Sequence, residues 1–142
     1  MLAAISDLLE KNDDDLLAYV SSAEEDHLQT LFEEIWNGVR QAPLFAGQPC
    51  STASAEALSL SRLAMSLAKL SEIKTLLAEG HRMMAYVLNA SEQYEAAIAE
   101  YTQAILLLEG LGLLQKAART RLGLIAALFM TGRYDHAIEE AK

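Results

Sequence analysis

Apolar residues recur at helical spacing along nearly all of the 142-residue chain, and no segment alternates with a period of two. The pattern predicts an all-α protein. Leu2, Ile5, Leu8 and Leu9 begin a short first helix, interrupted at the polar cluster Asn12–Asp15, and Leu16, Leu17, Tyr19 and Val20 mark a second short piece. Ser22 followed by Glu25 reads as a capping box, the hydroxyl accepting a first-turn N–H while the carboxylate reaches back. The helix it opens carries Leu28, Leu31, Phe32, Ile35, Trp36 and Val39 on one face and ends near Arg40. The stretch QAPLFAGQPCSTAS then brings both prolines and a glycine, so residues 43–53 are expected as a loop between an N-terminal helical segment, 1–42, and a second region, 54–142. Longer Ala/Leu-rich helices are expected at about 54–70, 72–90, 94–110 and 113–131, and from 134 onward. Short breaks between such helices fold them as antiparallel hairpins.

An internal repeat sharpens this picture. Tyr94-Glu95-Ala96-Ala97-Ile98 returns, one 40-residue period later, as Tyr134-Asp135-His136-Ala137-Ile138. The preceding helices match as well, with Met84 and Leu88 in one and Leu124 and Leu128 in the other. One period earlier, Ala57 and Leu58 align with Ala97 and Ile98, and Ala64 with Ala104. The run Gly132 to Ile138 (GRYDHAI) and the run Tyr94-x-x-Ala97-x-x-x-Tyr101-x-x-Ala104 resemble tetratricopeptide repeats. The usual period of that family is about 34 residues. The 40-residue spacing is similar to a longer-helix bacterial variant. The turn glycine of that pattern, Gly132, is Glu92 in the earlier copy, and a small residue expected after Leu124 is Ile125. The resemblance covers roughly 72–142.

It implies hairpins stacked as an α-solenoid, with the first helix of each hairpin lining a concave groove. Carried over position by position, the groove comprises Glu79, Arg82, Tyr86 and Asn89, then Arg119, Leu122, Ala126 and Phe129. Two guanidinium groups beside stiff aromatic rings suit a peptide bearing an acidic or carboxylate group. The implied role is a scaffold for a protein or peptide partner or a neighbouring domain, at the N-terminal part of a larger signalling or effector protein. The alternative is a regulatory domain that senses a small ligand or self-associates and so gates an attached effector, such as a caspase-like protease.

Charge and candidate chemistry narrow the function classes. The chain carries −9 overall, and residues 1–50 hold ten acids against Lys11 and Arg40. A basic footprint for phosphates is lacking, which argues against a nucleic-acid partner. The longest apolar stretch, Leu122 to Met130, is too short for a membrane span, and the acidic N-terminus is unlike a secretory signal, so a cytoplasmic protein is expected. Cys50 stands alone, as a bystander thiol. Glu24-x-x-His27 has the spacing of half a di-iron ligand set, but Ala78 and Arg133 precede His81 and His136 where the second Glu would stand. The Asn12–Asp15 run is not continued as a calcium loop, since its twelfth place is Ala23, and acids gathered before a following helix suffice to explain it. Phosphate-binding and hydrolase motifs are missing too, so no enzyme, no metal and no cofactor is expected.

Three further expectations concern packing. Trp36, Met65, Met83, Met84 and Met130 lie on apolar helical stripes and read as core. Arg82 and Arg119, read as groove residues, are expected to tolerate charge reversal without loss of stability. Leu113, Leu114, Ile125 and Leu128 cannot all be covered by the short run from Tyr134 to Lys142. Their cover is expected from chain continuing past Lys142 or from a homodimer through this open end.

Overall fold

The computed structural model describes residues 3–41 and 52–141. They form eight helices: α1 (Ala3–Leu9), α2 (Asp13–Ser22), α3 (Glu25–Gln41), α4 (Thr52–Ser71), α5 (Lys74–Ala90), α6 (Tyr94–Gly110), α7 (Leu114–Met130) and α8 (Tyr134–Ala141). No strand occurs among the described residues. Leu2, Cys50, Lys142 and residues 43–51 of the expected loop lie outside them, and Thr52 and Ala53 belong to α4 rather than to that loop.

The first polar cluster is a helix start. The Asn12 side chain accepts a hydrogen bond from the Asp15 backbone N–H at 2.9 Å, and Asp13, Asp14 and Asp15 fill the first turn of α2, where the positive end of the peptide dipoles favours carboxylates. The expected capping box does not form. Ser22 is the last residue of α2, and its hydroxyl donates back to the Tyr19 carbonyl at 3.0 Å. The chain turns at Ala23 and Glu24 before α3 begins, so Ser22 stands too early to cap it.

From α5 onward the chain keeps a 20-residue step. Helices α5, α6 and α7 are of equal length, 17 residues each, and short breaks separate them. Left-handed backbone recurs at Glu72, Glu92, Gly112 and Gly132, in register with that step. At the last three, two hydrogen bonds close the helix end in the same way. Glu92 N–H donates to the Asn89 carbonyl and Gln93 N–H to that of Leu88, while Gly112 and Leu113 repeat this on Glu109 and Leu108, and Gly132 and Arg133 on Phe129 and Leu128. The 40-residue repeat of the sequence is therefore two steps of a 20-residue helix-and-turn unit. Glutamate at two of the four left-handed positions conceals that unit from a search for turn glycines.

Each helix from α4 to α8 packs on the next, and α5 also touches α7. The N-terminal helices are not a separate body. α1, α2 and α3 pack on α4, and α3 reaches α5, so one apolar core runs from Ile5 and Leu8 through Ile35 and Val39 to Leu60, Leu67 and Met83. A second core gathers Ala85, Ala97, Tyr101, Ile105, Leu124, Leu128 and Ala137. Ala57, Ala97 and Ala137, one period apart, are all buried, as are Ala64 and Ala104. Side chains no larger than methyl at these places let neighbouring helices approach closely.

The repeat extends to contacts between side chains. His81 Nδ1 lies 2.5 Å from Glu100 Oε2, and at the positions one period later Arg121 Nε lies 3.6 Å from Glu140 Oε2. One packing expectation needs correction. Met130 is 62% exposed, because it sits on the outer face of the last turn of α7. Of the four residues expected not all to be covered, Leu128 is fully buried in the second core. Leu114, by contrast, is uncovered at 66% exposure, and Leu113 and Ile125 are half-buried.

The turns supply a direct test. A Cβ added at Gly112 or Gly132 meets nothing within 4 Å, so only the backbone geometry would oppose it. Gly112→Ala and Gly132→Ala should each lower stability by about 1 kcal/mol, whereas Glu72→Gly and Glu92→Gly should raise it by roughly 0.5–1 kcal/mol. Denaturant unfolding of the four variants measures both signs.

Candidate functional site

The expected groove residues stand on α5 and α7 at equivalent positions, but the two halves differ in what they meet. On α5 the centre is the Glu79 carboxylate. Its Oε2 accepts the indole N–H of Trp36 at 2.9 Å, from α3. Arg82, one turn on, donates to both carboxylate oxygens at 2.9 and 3.0 Å. Lys116 of α7 places its ammonium 3.7 Å from Oε1. One carboxylate thus ties three helices together. The Trp36 ring meets Tyr86 edge-on with centroids 5.8 Å apart, and the guanidinium groups of Arg40 and Arg82 lie 4.5 and 5.6 Å from its centroid. A tryptophan between two cations and a tyrosine edge gains attraction from the negative faces of its ring.

Helix α3 therefore occupies the α5 half of the face. Glu79, Arg82 and Tyr86 are engaged by Trp36 of the same chain, and the Arg82 side chain, 22% exposed, is clamped on Glu79, which weighs against its expected tolerance of charge reversal. Asn89 is half-buried, and its Oδ1 is buried without a hydrogen-bond partner. On α7 the picture is the opposite. Arg119 and Ala126 are exposed, Leu122 is 67% exposed and Phe129 50%, with the Phe129 ring edge-on to Tyr134 at 5.4 Å. Trp36, Arg40 and Lys116 are the members that sequence reasoning missed. Trp36 was legible as apolar core, but nothing in its spacing connects it with a glutamate so far along the chain.

Behind this face Tyr101 of α6 lies over Gly123 of α7, so close that a Cβ there would stand 2.6 Å from the ring. Burial pushes the Tyr101 hydroxyl up to about 12, neighbouring Tyr86 adds to the rise, and the Arg82 guanidinium opposes it. Elsewhere, His27 pairs with the Tyr19 hydroxyl at 2.8 Å. Among the described residues no three His, Cys, Asp or Glu side chains converge as a metal set. No described helix is long and apolar enough to cross a membrane.

Two outcomes follow from this geometry. Arg82→Glu, which sets a second carboxylate against half-buried Glu79, should lower stability by at least about 2 kcal/mol, whereas Arg119→Glu should stay within about 0.5 kcal/mol. Thermal unfolding of the two variants compares them. For Tyr101 the pKa is raised in the folded state, so its contribution is complete below about pH 10. Between about 10 and 12 the unfolded chain ionises first, and stability should fall by about 2 kcal/mol. Tyr101→Phe should lack that part of the alkaline loss when both proteins are unfolded in denaturant across this range.

No protein-family model, no curated protein and no solved structure matches the chain. What the face does is read from its own residues.

Proposed function

We propose that the chain is a protein–protein interaction module: a tetratricopeptide-like α-solenoid whose α5–α7 face holds a peptide, a helix or a neighbouring domain. The 20-residue step, the buried alanines at 40-residue spacing and the contact of α5 with α7 support a stacked-hairpin arrangement. The observation that carries the role is the seating of α3. An amphipathic helix already lies on the α5 half of the face, anchored by an aromatic residue and a charge-assisted hydrogen bond, the kind of contact that dominates protein interfaces. The α7 half offers Arg119 for a carboxylate, with Leu122, Ala126 and Phe129 as apolar contact area, and is open to a partner in trans.

Peptides selected by display on the immobilised 142-residue chain provide the test. Titration of the selected peptides into wild type and variants should show Arg119→Glu and Phe129→Ala each weakening binding roughly tenfold or more, about 1.4 kcal/mol, with the thermal midpoint unchanged. Peptides that bind both variants as tightly as wild type would place the interaction elsewhere.

A further inference from the structure

Helices α7 and α8 together present a second surface, which adjoins the α5–α7 face and shares Leu122 and Phe129 with it. A groove of about 530 Å³ lies between them, lined by Ala118, Arg121, Leu122, Ile125, Glu139 and Ala141 among others. At the helical repeat of the α-helix, Leu114, Ala118, Leu122, Ile125 and Phe129 fall on one stripe of α7 running beside it. Of the nine large hydrophobic residues exposed among the described residues, eight lie between Leu106 and Ile138, which is an asymmetry that scattered surface leucines do not produce.

The repeat identifies the stripe as a packing surface. Ala118 and Ile125 stand one 40-residue period after Ala78 and Ala85, and the Arg121–Glu140 pair stands one period after His81–Glu100. In the earlier copy both alanines are fully buried, and α7 packs on both α5 and α6. In the later copy the short α8 lies beside this surface and leaves Ala118 exposed and Ile125 half-buried.

Charge identifies the occupant. In a chain of net −9, α7 carries Lys116, Arg119 and Arg121 and no acid, while α8 carries Asp135, Glu139 and Glu140 and neither Lys nor Arg. A continuation of the stack by a like α7 would set Lys116 against Arg119, since Arg119 replaces the Glu79 that Lys116 meets one copy earlier. Lys116 and Arg121 are paired within the chain, and a twofold arrangement avoids this clash by setting Arg119 of each α7 against the acidic α8 of the other and closing the apolar stripes face to face. We infer that this surface is taken by a second copy of the chain, as an isologous dimer through α7 and α8. The dimer draws on Arg119, Leu122 and Phe129, which the proposed peptide face also uses, and self-association measured without any peptide separates the two readings.

Sedimentation of the full 142-residue chain, with charge-swapped variants, tests it. Wild type should dimerise. Arg119→Glu, on α7, and Asp135→Lys, on α8, should each weaken self-association at least tenfold, because each homodimer then carries two like-charged contacts. An equimolar mixture of the two should dimerise again, because in the heterodimer both contacts become opposite in sign. Glu139→Lys in place of Asp135→Lys repeats the series on a second α8 carboxylate, and Leu122→Asp should give a monomer that no mixing rescues, with circular dichroism checking that each variant keeps its helix. A wild-type chain that stays monomeric at millimolar concentration overturns the proposal. So do charge reversals that leave the dimer intact, and so does a mixture that fails to reassociate.

Discussion

A carboxylate held mostly out of water must be satisfied from every side, and Glu79 is satisfied only because three helices meet there. Left without partners, a charge so placed costs several kcal/mol. Trp36 of α3 and Arg82 of α5 donate its hydrogen bonds, and Lys116 of α7 adds an ion pair at 3.7 Å. The requirement fixes where α3 lies on α5, and Trp36 in turn sets the positions of Arg40, Arg82 and Tyr86 around its ring. Tyr101 and Gly123 lie just behind, so the same junction reaches into the second core. What a visiting helix would do on the proposed binding face, α3 already does within the chain.

The two surfaces differ in the way the sequence treats them. On α5 the small residues Ala78 and Ala85 are covered, and Arg82 and Tyr86 are spent on the chain's own tryptophan. On α7 the corresponding stripe and face carry Leu122, Ile125 and Phe129, with Arg119 exposed between turns. Leu122 and Phe129 stand where Arg82 and Asn89 stand one period earlier, and Ile125 stands where the smaller Ala85 does. This inversion, rather than any catalytic grouping, is what marks the α7–α8 end as the proposed place of contact.

Helix content and the ends of the long helices were legible because Gly110, Gly112 and Gly132 punctuate the periodic pattern, and because the Tyr-x-x-Ala-Ile match fixes a register. The 20-residue step was not, since Glu72 and Glu92 occupy left-handed positions where glycine is the usual signal. Ser22 misled because the spacing of a capping box does not say on which side of a turn the serine will fall. Met130 misled because helical spacing defines a stripe but not whether a neighbour covers it. The Trp36–Glu79 bond joins residues of unlike type on helices far apart in the chain, and short-range pattern carries no information about such a pair. With it went the correct role of Arg82, which is a clamp on Glu79 before it is a contact for anything else.

A double-mutant cycle between Trp36 and Glu79 tests the central junction most directly. Trp36→Phe keeps an aromatic ring and removes the N–H, and Glu79→Ala removes the acceptor. Their effects on unfolding free energy should be coupled by about 1–2 kcal/mol, the double variant losing less than the two singles together. Effects that add to within about 0.3–0.5 kcal/mol would mean that the carboxylate does not hold α3 on this face.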